Sequence, residues 1–82
     1  MTKILVVDDH PIFRLGLTEL INQENELIAV GDARDVEPAI EEINSLAPDL
    51  IIADIGLHDS DGLDLVAFAA KHYPDIPVLV LS

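Results

Sequence analysis

Ile4-Leu5-Val6-Val7-Asp8-Asp9-His10-Pro11 holds the turning point of the fold: an uninterrupted apolar run, two carboxylates, then a proline. Branched apolar residues with no polar alternation read as a strand buried on both faces. Pro11 suits the first position of a helix to about Gln23, with Phe13, Leu17, Leu20 and Ile21 on one side. The same pattern recurs along the chain. Leu27 to Val30, Leu50 to Ala53 and Val78 to Leu81 read as further buried strands. Between them Val36, Ala39, Ile40, Ile43, Leu46 and Ala47 line one helical face, with Asp35 as N-cap, Pro38 in the first turn and Pro48 closing the helix. A last helix over Leu63 to His72 packs Val66, Ala69, Ala70 and Tyr73 and is ended by Pro74. Strict alternation of strand and helix predicts a doubly wound α/β domain: four parallel strands, three helices, helices on both faces.

Composition narrows the function. The chain has 82 residues, room for one small domain, and half of them are hydrophobic, too many for a disordered segment. Sixteen acidic against four basic side chains leave a net charge of −12, which repels phosphate backbones and anionic membranes, so no direct nucleic-acid or membrane binding is expected. There is no cysteine, hence no disulfide, thiolate metal site or cysteine nucleophile, and the cytoplasm is the expected compartment. No apolar run approaches the ~20 residues of a membrane span, and the amino terminus lacks the pattern of a signal peptide.

In open parallel sheets the ligand crevice lies beyond the carboxyl ends of the strands, where strand order reverses. The first strand ends at Asp8 and Asp9 and the third at Asp54. Two like charges ~5 Å apart repel by roughly 3 kcal/mol at an effective dielectric near 20, so three carboxylates there call for a counter-ion or a proton. Hard oxygen ligands favour Mg²⁺, which takes one or two carboxylates and keeps waters that a phosphate can replace. Ser82, at the end of the fourth strand, brings a hydroxyl to the same rim.

These residues resemble the receiver domain of bacterial response regulators, a flavodoxin-like (CheY-like) fold, over the whole chain. The resemblance is carried by Ile4 to Asp9, by Asp49 to Asp54, by Gly62 eight residues on, and by Pro77 to Ser82. Asp8-Asp9-His10-Pro11, with Arg14 and Gly16-Leu17, resembles the NarL/FixJ-type branch, whose members usually carry a C-terminal helix-turn-helix domain. The resemblance implies a phosphoacceptor module in a two-component system, receiving a phosphoryl group on Asp54 from a sensor histidine kinase. It further implies Mg²⁺ held directly by Asp9 and Asp54, through water by Asp8, and by the Gly56 backbone carbonyl. Ser82 takes the place of the switch hydroxyl.

The family pattern continues into a fifth strand ending in a Lys and two further helices, whereas this sequence reaches Ser82 with only Lys3 and Lys71. The expectation is therefore a receiver fragment over 1–82, lacking those elements and any DNA-binding domain. Losing one preorganised donor is expected to slow phosphorylation by roughly 10²–10³. An apolar fourth strand left at the edge is expected to self-associate. His58 stands where the family usually has Pro and reads as an exposed loop residue, as do Asp59, Asp61 and Asp64. His10 reads as a local structural residue at the helix entrance rather than a ligand. A haloacid-dehalogenase-like phosphohydrolase is the alternative enzyme class, but it needs an Asp two residues after the nucleophile, where this chain has Gly56. A flavodoxin-like cofactor binder lacks its Gly-rich loop, and an inert interaction fragment remains the non-chemical alternative.

Overall fold

The computed structural model describes residues 1–54 and 62–81. Its elements run β1 (Thr2–Val7), α1 (Pro11–Gln23), β2 (Leu27–Ala33), α2 (Val36–Leu46), β3 (Leu50–Asp54), α3 (Gly62–His72) and β4 (Val78–Leu81). All strands are parallel, in the order β2-β1-β3-β4. The chain leaves β1 toward one edge and returns past it to β3, so the reversal falls between β1 and β3, as the doubly wound reading requires.

The central strands behave as their sequences predict. Ile4, Leu5, Val6 and Val7 are buried, and their alternation splits the core into two layers. Leu5 and Val7 join Val36, Ala39 and Ile43 of α2, Leu65 and Ala69 of α3, and Ile51 and Ala53 of β3. Ile4 and Val6 pack with Ile52 under Ile21 of α1, with Leu17 and Leu81 at the margin. Helices thus cover both faces.

The outer strands depart from the prediction. Leu27 to Val30 forms part of a longer strand at the sheet edge and is only partly buried, because among the described residues β1 flanks it on one side alone. β4 has β3 on one side among the described residues, and Leu79 and Val80 are exposed. On α1 the face named from spacing is too broad: Ile21 is buried, but Phe13 and Leu20 are exposed, since α1 meets the sheet along a narrower stripe. On α3 Ala69 is buried as predicted, together with Leu65, which the spacing did not name, and Ala70 is exposed. Asp64 belongs to the first turn of α3 rather than to a loop.

Helix ends follow local chemistry. Asp35 caps α2, its Oδ1 accepting from the Val36 amide at 2.8 Å. Lys3 Nζ donates to the Leu46 carbonyl at the other end. Ala47, predicted on the packed face, instead ends α2 in the left-handed conformation, at φ 47°. That conformation crowds a Cβ, so Ala47→Gly is expected to raise stability by about 0.5–1 kcal/mol, read from the urea midpoint. A lower midpoint would show that Ala47 is not strained.

The β2 edge carries its own protection. Val30 is an extra residue in the ladder, with Ile4 paired to Ala29 and Leu5 to Gly31. A Cβ on Gly31 would meet Glu42 Oε1 and Leu46 Cδ1 at 2.8 Å, so the Glu42 side chain lies directly against the strand. Burial pushes the Glu42 carboxyl up, Asp32's charge adds to this, and Arg14 opposes it. A bulge and acidic groups at an edge both discourage pairing with another strand.

Candidate functional site

Strand ends aim the acidic residues at one point. Asp8 follows the last residue of β1, its amide donating to the Ala33 carbonyl at 2.9 Å, so β2 holds it in line. Asp54 is the last residue of β3, paired with Leu81 of β4. The carboxylates of Asp8, Asp9 and Asp54 and the His10 ring each offer one ligand atom within 4.8 Å of the others. Asp8 is 2% exposed, and Asp9 and Asp54 are partly buried. The predicted convergence of Asp8, Asp9 and Asp54 on one rim is therefore what the fold produces. Gly56, His58, Asp59, Asp61 and Ser82 lie outside the described residues.

His10 does more than the sequence suggests. It occupies the N-cap of α1 but makes no side-chain cap bond. Its amide donates to Asp8 Oδ1 at 2.8 Å, and its Nδ1 lies 2.9 Å from both Asp8 Oδ1 and Asp9 Oδ1 and 3.8 Å from Asp54 Oδ2. The hydrogen bond to Asp8 does most to raise the imidazole above its usual value of 6.5. Asp9's charge adds next, against some desolvation, and the charges of Asp8 and Asp54 add further. A raised folded value means that the stabilisation is complete below ~6.5 and disappears as pH rises through the higher, folded value. In metal-free protein the His10 ring is expected to titrate above 6.5 by NMR, and to move back toward 6.5 in Asp8→Asn. A midpoint at or below 6.5 would contradict this geometry. The only sequence signal was adjacency to two aspartates; the direction of the ring depends on the turn.

Arg14 is the second residue whose part was not legible. One turn into α1, its Nη1 donates to the Asp8 carbonyl at 2.7 Å and its Nε to Asp32 Oδ2 at 3.0 Å. Beside the carboxylates opens a cleft of about 590 Å³, walled by Asp8, His10 and Asp54 and by the apolar Ile12, Phe13 and Leu81. Neither lysine is at this rim: Lys3 reaches the C-terminal end of α2, and Lys71 is exposed in the last turn of α3.

The donor set fits a small divalent cation. Three carboxylates supply hard oxygens, and the imidazole nitrogen already sits among them as a cationic group would. Chemically, such a site can neutralise a phosphate or position it beside a carboxylate.

A doubly wound sheet with an acidic cluster at its reversal point defines a class of small ligand- or phosphate-handling α/β domains. The comparisons are specific: the sequence matches the response regulator receiver domain family over residues 4–82, and the chain belongs to that family. It is 36% identical over 80 residues to the transcriptional regulatory protein DegU of Brevibacillus brevis, covering 98% of this chain and 34% of that protein. It is 34% identical over 82 residues to the DNA-binding transcriptional activator DevR/DosR of Mycobacterium tuberculosis, covering all of this chain and 38% of that one. Among solved structures, the receiver domain of the putative response regulator NarL of M. tuberculosis superposes with a TM-score of 0.88 at 29% identity, over 96% of this chain and 64% of that one. A LuxR-family response regulator from Aurantimonas sp. SI85-9A1 gives 0.89 at 27% identity, over 98% and 58%. The chain spans about a third of the length of these curated relatives.

Proposed function

We propose that this receiver domain accepts a phosphoryl group on Asp54 with the help of Mg²⁺, as part of a cytoplasmic, transcription-controlling two-component system. The observation that carries the reading is the meeting of Asp8, Asp9 and Asp54 within 4.8 Å at the reversal point of the sheet. The donor is a phosphohistidine of a sensor kinase. An Asp54 oxygen attacks phosphorus, the phosphorus–nitrogen bond breaks, and the leaving imidazole keeps the electron pair and takes a proton from solvent. Asp9 and Asp54 would hold the ion directly, Asp8 through water, with the Gly56 backbone carbonyl as a further ligand, and Ser82 would serve as the switch hydroxyl toward the phosphoryl group. A Mg²⁺ ion held there would neutralise charge on the phosphoryl oxygens. Asp8, nearly buried and fixed by the Ala33 carbonyl and the His10 amide, keeps the other carboxylates in register. No helix among the described residues is long and apolar enough to cross a membrane.

A small-molecule phosphodonor, with Mg²⁺ or with chelator, tests this by intact mass. An increase of about 80 Da that needs Mg²⁺ and maps to the Asp54 peptide is the expected result. Steady phosphate release with no adduct would instead favour a phosphohydrolase, and no change an inert interaction module. Neither Lys3, at the C-terminal end of α2, nor Lys71, in the last turn of α3, is placed to pair with the phosphoryl group.

The same chain is proposed to self-associate through β4, whose exposed Leu79 and Val80 lie on an edge unpaired among the described residues, and not to bind DNA itself. Light scattering that shows a folded monomer across a hundredfold range of concentration would refute the association.

A further inference from the structure

We infer that Arg14 is a positioning residue for the cation site, acting on the peptide backbone rather than through its charge. The inference rests on the reading of Asp8, Asp9 and Asp54 as that site.

The turn from β1 into α1 must deliver two successive carboxylates to one point, and the peptide joining Asp8 to Asp9 sets the direction of the second. Three hydrogen bonds from outside β1 hold Asp8 on either side of this peptide and at its carbonyl. The Asp8 amide is held by the Ala33 carbonyl at 2.9 Å and Asp8 Oδ1 by the His10 amide at 2.8 Å. The Asp8 carbonyl, half of the peptide that carries Asp9, accepts from Arg14 Nη1 at 2.7 Å. The guanidinium is itself oriented, because its Nε donates to Asp32 Oδ2 at 3.0 Å on β2 and its side chain is only 20% exposed. Two bonds in a rigid planar fork lock the rotation of that peptide in a way that a lysine's single ammonium cannot. Ion-site partners outside the ligand set commonly change metal affinity 10–100-fold.

Charge and positioning give opposite signs. A guanidinium near a dication repels it, so removing the charge alone would tighten Mg²⁺ binding. Loss of the fork would weaken it.

The test uses Arg14→Lys, which keeps the charge, and Arg14→Met, which removes it, with Mg²⁺ affinity from calorimetry and amide hydrogen exchange in metal-free protein. Both variants are expected to bind Mg²⁺ about tenfold more weakly than the parent. The Asp8 and His10 amides are expected to exchange about tenfold faster while those of Leu5 and Ile51 keep their protection. Asp32→Ala, which removes the acceptor of Nε, should shift both readouts in the same direction by less. Unchanged affinity in Arg14→Lys, or tighter binding in Arg14→Met, would overturn the inference. So would unaltered exchange at Asp8 and His10, an outcome that decides even if the parent binds no Mg²⁺ and the site reading itself fails.

Discussion

Asp54→Asn is expected to leave the chain folded and to end phosphoryl uptake completely, with no mass adduct under conditions where the parent acquires one. The neutral amide oxygen lacks the negative charge that makes a carboxylate a nucleophile toward phosphorus. Stability should move the opposite way. With ligand atoms of three carboxylates within 4.8 Å, each ionised pair repels by roughly 3 kcal/mol at an effective dielectric near 20. Removing Asp54's charge relieves two such pairs but also gives up its attraction for the His10 ring, 3.8 Å away. Because Asp54 is partly exposed and solvent screens it, the net gain expected in metal-free protein above pH 7 is about 1 kcal/mol, by urea denaturation. Mg²⁺ should then stabilise the parent more than the variant. An adduct surviving in Asp54→Asn would place the chemistry elsewhere, and a destabilised metal-free variant would show that attraction to His10 outweighs the repulsion among the carboxylates.

Leu5→Ala is expected to have the largest effect on folding. Leu5 lies in the middle of β1, between β2 and β3, fully buried in the layer that holds α2 and α3. Such truncations cost about 2–5 kcal/mol. A chain of 82 residues commands roughly 4–12 kcal/mol in total, so the variant should unfold at a much lower urea concentration or lack a folded baseline. Leu20→Ala is the contrasting case. The spacing of α1 gives Leu20 the same apparent claim to the core, yet it is exposed, and its truncation is expected to change stability by under about 0.5 kcal/mol. Equal losses at the two positions would mean that α1 packs through a different face.

The difference between these leucines shows how a sequence pattern can mislead. Helical spacing identifies residues that lie near one another on a cylinder, but it does not say how wide a stripe the neighbouring layer covers. Phe13 and Leu20 fit the pattern and are exposed because α1 meets the sheet along a line through Leu17 and Ile21. Strand composition has the same limit: Val78 to Leu81 is as apolar as β1, but its middle residues are exposed at the edge. Periodicity describes one element at a time, whereas burial depends on what lies against it.

From the sequence alone came the order and type of the elements, the Asp35 cap, the reversal between β1 and β3, and the arrival of Asp8, Asp9 and Asp54 at one rim. All of these follow from local propensity and from the geometric fact that parallel strands point their carboxyl ends the same way. Tertiary structure decided the rest: which strands are edges, that the His10 ring turns into the carboxylates, and that Arg14 spans from α1 to the Asp8 carbonyl and Asp32. Each of those depends on distances between segments that the chain brings together only on folding.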